Sequence, residues 1–389
     1  MQTIEGGICA VPGVRAAGAR QGKYGVALIA ASGPAAGMFT TNKVRAAPLY
    51  VTAEHLQAFS HLDGIIANSG CANAYTGPRG LEDAEKMAEM MAGFLATDPR
   101  KIAVASTGVI GRYMDMALIG RLFDEACTKL RSGPDASAEA ARAVMTTDTR
   151  LKEVAVEHKG IHVGGIVKGA GMIEPNVATM LCFIYTDADL TAALLKECLK
   201  DAVKDSFNML TVDGDMSTND TVLLTSTGKV KCKVDDFFEA LRYVCIELAR
   251  KMARDGEGAG KYFETVVIGA KTEQDARLAA KAVANSSLVK TAVFGADPNW
   301  GRIICAVGYS GAEMDPEKIS LGLEGKDGLE VSLVKDGRIV DGVLDKAKEI
   351  MKGDTILVKV DLALGDAGAR SFGCDLTREY VNINADYTT

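Results

Sequence analysis

Short apolar runs bounded by glycine and asparagine are the feature that most constrains the fold of this 389-residue chain. The runs are rich in β-branched residues and too short for stable helices, so each predicts a buried strand. The first strands expected on this basis cover residues 25–31, 64–67, 102–105, 161–167 and 180–185.

Helical stretches with apolar residues every three or four positions lie between and after these runs. We expect helices over residues 81–95, 138–145, 190–207, 234–253, 273–284 and 342–351, and further strands over 291–294, 318–323, 329–333 and 355–362. The alternation predicts an α/β or mixed α+β protein. We divide it into a long first domain, residues 1–275, and a smaller C-terminal domain, residues 276–389.

Charge and composition exclude several classes of function. The chain has 44 basic and 51 acidic residues, a net charge of −7, and no long basic run, which argues against nucleic acid as a partner. No apolar segment is long enough to span a membrane, and the first residues do not form a signal peptide. The nine cysteines are an odd number, and several lie in apolar runs. Such cysteines are typical of buried free thiols in a reducing compartment, so we expect a cytoplasmic protein.

The most unusual local sequence is KGAGMIEPNVATMLCFI, residues 168–184. A glycine-rich loop is followed by the turn residues Pro175 and Asn176, and then by Ala178 and Thr179 at the start of an apolar run. Glycine lets a backbone hold unusual dihedral angles without steric cost. A hydroxyl at the mouth of a rigid strand is well placed to attack a peptide bond, so we predict that Thr179 is a nucleophile.

The predicted chemistry begins with attack of the Thr179 hydroxyl on the Ala178 carbonyl. An ester forms by an N-to-O acyl shift, and water releases it. The new α-amino group, with an ordinary pKa of about 7.7–8.0, can then act as the base beside the hydroxyl. Two other interpretations stay open on the residues alone. Threonine is common at the start of strands, and the glycines could form a phosphate-binding turn, although no GxxxxGK[ST] motif surrounds them.

A metal site is not predicted. The acidic run 213–220 lacks the glycine and glutamate that an EF-hand requires, since Thr218 and Leu224 occupy those positions. We expect this loop to support a pocket wall through local hydrogen bonds. The four histidines form no HExxH motif, and GxSxG, the motif of a serine hydrolase, is absent.

Residues 168–181, KGAGMIEPNVATML, closely resemble the self-cleavage segment of the ornithine acetyltransferase family, also called glutamate N-acetyltransferases. The resemblance runs the length of the chain, through the blocks NSGCANAYTG (68–77), STGVIG (106–111), MTTDT (145–149), SFNMLTVDGDMSTNDT (206–221), DGEGA (255–259), FGADPNWGRI (294–303) and CDLTREYVNINADYTT (374–389). Two departures, Cys71 in place of asparagine and Gly260 in place of threonine, affect fine specificity rather than the type of reaction.

The resemblance implies a layered helix–sheet–sheet–helix core, of the type found in N-terminal-nucleophile-like aminopeptidases, with a smaller C-terminal α/β domain. It implies transfer of acetyl from N2-acetyl-L-ornithine to L-glutamate in arginine biosynthesis, by a ping-pong mechanism through acetyl-Thr179. No cofactor is implied, although acetyl-CoA serves some members as a co-substrate. The fragments 1–178 and 179–389 are expected to assemble as a heterotetramer or larger.

The same resemblance assigns roles to individual residues. Thr107 and Gly108 match an oxyanion hole. The tail, whose residues 381–387 alternate like a strand, would return to the active site. The positions that match substrate contacts are Thr146 or Thr147, Lys168, Thr179, Glu257, Asn384 and Thr389.

Two alternative functions remain at this stage. The first is an N-terminal-nucleophile aminopeptidase or amidase, in which water accepts the acyl group. The second is a non-enzymatic amino-acid-binding protein whose glycine-rich loop grips a ligand.

Overall fold

The computed structural model describes residues 1–174 and 180–386. The strands in this part of the chain are β1 (Gln2–Ile4), β2 (Arg15–Gln21), β3 (Tyr24–Phe39), β4 (His61–Ser69), β5 (Ile102–Ser106), β6 (Glu153–His158), β7 (Ile161–Lys168), β8 (Leu181–Ala188), β9 (Thr221–Val230), β10 (Tyr262–Ala270), β11 (Ser320–Gly325), β12 (Glu330–Lys335), β13 (Arg338–Ile339), β14 (Thr355–Asp361) and β15 (Ala367–Cys374).

The α-helices of the same part are α1 (Ala47–Phe59), α2 (Gly77–Leu95), α3 (Met116–Lys129), α4 (Pro134–Val144), α5 (Ala192–Asp205), α6 (Val234–Arg254), α7 (Glu273–Asn285), α8 (Ser287–Phe294), α9 (Trp300–Tyr309), α10 (Leu344–Lys352) and α11 (Arg378–Asp386). None of these helices combines the length and hydrophobicity needed to cross a membrane.

The long strand β3 joins two layers of one sheet, whose order is β1-β6-β7-β8-β9-β3-β4-β5, with β2 also paired to β3. The register of β3 against β4 shifts between Ala30 and Gly33, and its last residues pair with β9 instead. At this point Gly33 is required, because a Cβ there would lie 1.7 Å from the Ser226 carbonyl oxygen. The strand therefore passes from one layer to the next at a point where its backbone lies close to that of β9.

Side chains of successive strand residues alternate between two cores, which defines the layers. In β8, Leu181 and Phe183 pack in the core between the two sheet layers, and Cys182 packs with helices α5 and α6 on the outer side. In β4, Ile65 faces the inner core, and Ile66 packs with α2 and α3. The order is thus helix, sheet, sheet, helix, and the expected layered α/β core is confirmed.

A second sheet, in the order β13-β12-β11-β14-β10-β15, is built from strands that begin at Tyr262. β10 and β14 are parallel; β10 is buried at most of its positions, and β14 is buried at alternate positions. The division of the chain at residue 275 stays a prediction.

Most of the expected elements are present, but two predictions are wrong. Residues 291–294 belong to helix α8 instead of a strand, because the Ser286 hydroxyl accepts a hydrogen bond from the Val289 N–H and caps the helix. The tail 381–386 is also helical, as part of α11. There the Thr377 hydroxyl accepts a hydrogen bond from the Tyr380 N–H at 3.2 Å. In both cases a local cap outweighs the strand preference of the residues that follow.

Candidate active site

One cleft of about 330 Å³ brings together every described residue that the sequence assigns to the site. Its volume suits a small ligand. The predicted residues that line it are Thr107, Gly108, Thr146, Thr147, Lys168, Glu257 and Asn384. Ala178, Thr179 and Thr389 lie outside the described residues.

The turn after β5 presents the predicted oxyanion-hole residues. The Thr107 N–H donates to the Asn68 carbonyl at 3.0 Å, so only the Thr107 hydroxyl remains to face a ligand. The Gly108 N–H has no acceptor within residues 1–174 and 180–386. Gly108 has φ +129°, and a Cβ on it would lie 2.4 Å from the Gly70 carbonyl carbon, so only glycine fits. This turn therefore offers one free amide and one hydroxyl.

Asn219 also holds this turn, a role that its sequence position did not indicate. Its buried Nδ2 donates to the Ser106 carbonyl at 2.8 Å and to the Ala72 carbonyl at 2.6 Å. The Thr218 hydroxyl donates to its Oδ1. Both amide atoms are thus engaged, which fixes the backbone that leads into Thr107.

Lys168 lies at the base of the cleft, at the end of β7, with only 3% of its surface exposed. Its Nζ donates to the Thr146 hydroxyl at 2.9 Å and to the Thr107 hydroxyl at 3.1 Å. Burial lowers the pKa of Lys168, although the nearby Asp148 carboxylate opposes that effect. The amine therefore links the oxyanion-hole turn to the Thr146 segment.

A buried ion cluster supports Lys168 from below. Asp148 accepts hydrogen bonds from Lys152 Nζ at 2.5 Å and from the Gly169 N–H at 2.7 Å. Burial favours the neutral acid, but Lys168 and Lys152 outweigh it and hold the pKa of Asp148 at about 2. Lys152 also contacts Asp255 at 2.5 Å, two residues before Glu257. The cluster thus ties the lysine to the glutamate segment.

Glu257 fills a space that a glycine leaves open. Its N–H donates to the Ala170 carbonyl at 2.8 Å, and its Oε2 accepts from Asn384 Nδ2 at 2.8 Å. A Cβ on Gly171 would lie 2.3 Å from the carboxyl carbon of Glu257. The carboxylate therefore lies between the glycine-rich loop and the tail helix α11.

The rim of the cleft is acidic and also holds the tail. Asp213 accepts hydrogen bonds from the Met172 N–H at 2.6 Å and the Ile173 N–H at 2.8 Å. The Tyr380 hydroxyl of α11 donates to Asp213 at 3.3 Å. This loop therefore forms a pocket wall, as the sequence predicted, through Asp213, Asp215, Ser217, Thr218 and Asn219.

Comparison with known proteins identifies the family. The sequence model of the ArgJ family matches residues 12–389. The chain belongs to the ArgJ family. A glutamate N-acetyltransferase of Methanosarcina mazei is 53% identical over 396 residues, which cover 100% of both chains. The arginine biosynthesis bifunctional protein ArgJ of Archaeoglobus fulgidus is 47% identical, over 97% of this chain and 99% of its own. This ArgJ-family chain is therefore an acyltransferase.

Two solved structures of the ArgJ family also match. The arginine biosynthesis bifunctional protein ArgJ of Bacillus halodurans is 38% identical over 52% of this chain and 96% of its own, with a TM-score of 0.49. The ornithine acetyltransferase of Mycobacterium tuberculosis, in complex with ornithine, is 34% identical over 45% of this chain and 96% of its own, with a TM-score of 0.42.

Proposed function

We propose that this enzyme transfers acetyl from N2-acetyl-L-ornithine to L-glutamate in arginine biosynthesis, through an acetyl ester on Thr179. The observation that carries the proposal is the convergence of Lys168, Glu257 and Gly108 in one cleft. Leu181 pairs with Lys168 in the sheet, so the strand that follows Thr179 in the chain begins beside that lysine.

Activation is a single cut between Ala178 and Thr179. The Thr179 hydroxyl oxygen bonds to the Ala178 carbonyl carbon, the peptide C–N bond breaks, and the nitrogen takes up the hydroxyl proton. Water then hydrolyses the ester, which leaves a carboxylate on Ala178 and restores the hydroxyl. Thr179 now carries a free amine, which serves as the base for its own hydroxyl.

Transfer then proceeds in two half-reactions through one acetyl ester. The hydroxyl attacks the acetyl carbonyl, and the free Gly108 N–H and the Thr107 hydroxyl stabilise the oxyanion. Because Lys168 donates to the Thr107 oxygen, the hydroxyl proton is left to point into the cleft. Ornithine leaves with the proton that the Thr179 amine had taken. In the second half-reaction the glutamate amine attacks the acetyl ester, and the same steps run in reverse.

Charged groups of opposite sign in the cleft suit two amino acids that share an α-amino group and a carboxylate. Lys168 would attract the carboxylate, and Glu257, held by Asn384, would accept the ammonium group. Thr146 or Thr147 would add a hydroxyl contact, and Thr389 would complete the site. The proposed chemistry uses protein groups alone and needs no cofactor.

Assembly, location and a second acetyl donor complete the proposal. Fragments 1–178 and 179–389 would form a heterotetramer or a larger assembly. All nine cysteines lie in the described part of the chain and are free thiols, which supports a cytoplasmic enzyme. Acetyl-CoA is a candidate second acetyl donor, and the product analysis below tests it.

Denaturing electrophoresis tests self-cleavage. Purified protein should give two fragments of 178 and 389 − 178 = 211 residues. The Thr179→Ala variant should give one intact, inactive chain, because it lacks the attacking hydroxyl. An intact band from fully active wild-type protein would rule out the mechanism.

Product analysis tests the reaction. N-acetylornithine and acetyl-CoA are offered separately, each with and without glutamate, and N-acetylglutamate and free acetate are measured. Transfer predicts N-acetylglutamate and an acetyl group on the 211-residue fragment, detectable by mass spectrometry. Acetate release that glutamate does not redirect would instead support an aminopeptidase or amidase.

A further inference from the structure

Asp220 lies directly before β9 and is fully buried beside the start of β8. Its Oδ1 accepts a hydrogen bond from the Met180 N–H at 3.1 Å. The next residue, Thr221, donates its own N–H to the Met180 carbonyl at 2.9 Å. Both backbone polar groups of Met180 are therefore held by adjacent residues of one segment.

The Asp220 carboxyl also faces the hydroxyls of Thr40 and Ser217, which oppose the rise in its pKa. Asp220 Oδ2 is buried and has no hydrogen-bond partner among the residues that the structure describes. Buried polar atoms are almost always paired, so an unpaired one is destabilising. The neighbouring Asn219, by contrast, uses both amide atoms to hold the oxyanion-hole turn.

The chain itself connects Asp220 to the nucleophile. The Met180 nitrogen is bonded covalently to the carbonyl carbon of Thr179. Because the peptide group is planar, a hydrogen bond that fixes the direction of the Met180 N–H also fixes the plane that contains the Thr179 carbonyl and Cα. Such an anchor controls how the hydroxyl and amine of Thr179 are presented.

We propose that Asp220 is a positioning residue for the Thr179 nucleophile and acts by holding the Met180 amide. This inference rests on the proposed function of Thr179. It adds a residue that touches neither substrate nor the acetyl group, and on which both self-cleavage and acetyl transfer depend.

The burial of Asp220 agrees with this role. Burial raises the pKa of Asp220 well above its usual range, although the Met180 N–H and the charge of Lys168 oppose the shift. A fixed carboxylate beside a Thr179 amine would favour the ammonium form, which cannot act as a base. An uncharged acid can hold Met180 without that effect.

Two substitutions of Asp220 separate the anchor from the charge. Asp220→Asn keeps a neutral oxygen acceptor for the Met180 N–H, and Asp220→Ala removes it. Cleavage is followed as the loss of full-length chain after synthesis in a cell-free system. Since a displacement of about 1 Å can cost 10²-fold in rate, we expect the Ala variant to cleave about 10–100-fold more slowly, and the Asn variant to stay within about threefold of wild type.

A second buried carboxyl provides a matched control. Asp83 on α2 is also buried, and its Oδ2 also has no partner in the described part of the chain, but it does not line the cleft. Asp83→Ala should cleave at the wild-type rate. In the cleaved fraction of the Asp220→Ala protein, kcat should fall while KM for N-acetylornithine changes little, which general destabilisation does not predict.

The outcomes are distinguishable. If the wild-type chain stays whole, the proposed function itself fails. If wild type cleaves and Asp220→Ala cleaves equally fast, only the positioning role is overturned; an Asn variant as slow as the Ala variant also overturns it, in favour of a carboxylate with a charged role. If the Ala variant does not fold, Asp220→Ser, whose side chain is too short to reach Met180, replaces it in the same comparison.

Discussion

Gly171 leaves open the space that the Glu257 carboxylate occupies: a Cβ on Gly171 would lie 2.3 Å from Glu257 Oε2. The Glu257 N–H is fixed to the Ala170 carbonyl at 2.8 Å, so the side chain cannot move away together with its backbone. The glycine-rich loop therefore does more than turn the chain. It sets the position of Glu257, which is the only glutamate that lines the cleft among residues 1–174 and 180–386.

Gly171→Ala should displace the Glu257 carboxylate with little effect on the backbone. We expect acetyl transfer to fall by about 10–100-fold, since small misplacements at a reacting centre are costly. The measurement is kcat/KM for N-acetylornithine, together with the thermal unfolding midpoint. Gly260→Ala, in the loop that follows Glu257, is the matched control, because a Cβ there would meet Asp375 at an ordinary 3.4 Å. Equal activity of the two variants would contradict this role of Gly171.

The Thr107 hydroxyl should contribute to the reaction separately from its backbone, because the Thr107 N–H is already bound to Asn68. Thr107→Val keeps the shape and removes the hydroxyl, and Thr107→Ser keeps the hydroxyl. Loss of one oxyanion donor typically costs about 10²–10³ in rate, so the Val variant should lose that much in kcat, while the Ser variant should stay close to wild type. Steady-state kinetics with N-acetylornithine and glutamate provide the test. A Val variant with normal kcat would leave Gly108 as the only donor of this turn.

The residues that the sequence assigned to the site each lie in a distinctive local block, and the described ones line one cleft. Lys168, Glu257 and Asn384 are separated from one another by 89 to 216 positions in the chain, yet they line one cleft. The α/β class followed from the short apolar runs and the helical stretches between them, and the layered order was implied by the family resemblance.

Residues whose role depends on a hydrogen bond to a distant part of the chain could not be predicted. Asn219 binds the Ser106 carbonyl across 113 positions, and an isolated asparagine carries no sign of that partner. Asp220 lies in a loop that the sequence linked to a pocket wall, but its contact with the Met180 N–H follows from the packing of β8 against β9 and could not be predicted. The tail was predicted wrongly for another reason. Its alternation suggested a strand, but the Thr377 cap makes residues 378–386 helical.

Asp148→Asn should destabilise the protein and change its response to acid. The folded-state pKa of Asp148 is about 2, below the ordinary 3.8, so its stabilising contribution is present above about pH 4 and is lost as the pH falls through 2. Removing one partner of a buried ion pair typically costs about 3–5 kcal/mol. We therefore expect a lower free energy of unfolding for the Asn variant at neutral pH, with the difference shrinking toward pH 2.

Denaturant titrations at several pH values, in the uncleaved Thr179→Ala background, measure this difference on a single chain. Asp98 is the matched control, since its pKa is also about 2 but its partner Arg100 is exposed. Exposed pairs contribute little to stability, so Asp98→Asn should have almost no effect. A pH-independent loss in the Asp148 variant would mean that packing, rather than charge, accounts for its contribution.

Asn384→Asp should disrupt the site through charge alone. Asn384 Nδ2 donates to Glu257 Oε2 at 2.8 Å, and an aspartate there would place two carboxylates in contact. Like charges at this distance repel, and one of the two carboxyls must take up a proton or move. We expect acetyl transfer to fall by about tenfold or more at neutral pH, with partial recovery at lower pH, when the pair shares a proton.

Asn382→Asp on the same helix provides the control. Asn382 donates to Glu379 at 3.2 Å, and this contact is exposed to solvent and lies away from the cleft. The substitution adds the same charge to α11, but water screens it from Glu379. Initial rates for both variants, measured across a pH series, separate the two effects. Equal losses in the two variants would show that charge on the tail weakens its docking in general, and that the Asn384–Glu257 contact has no special role.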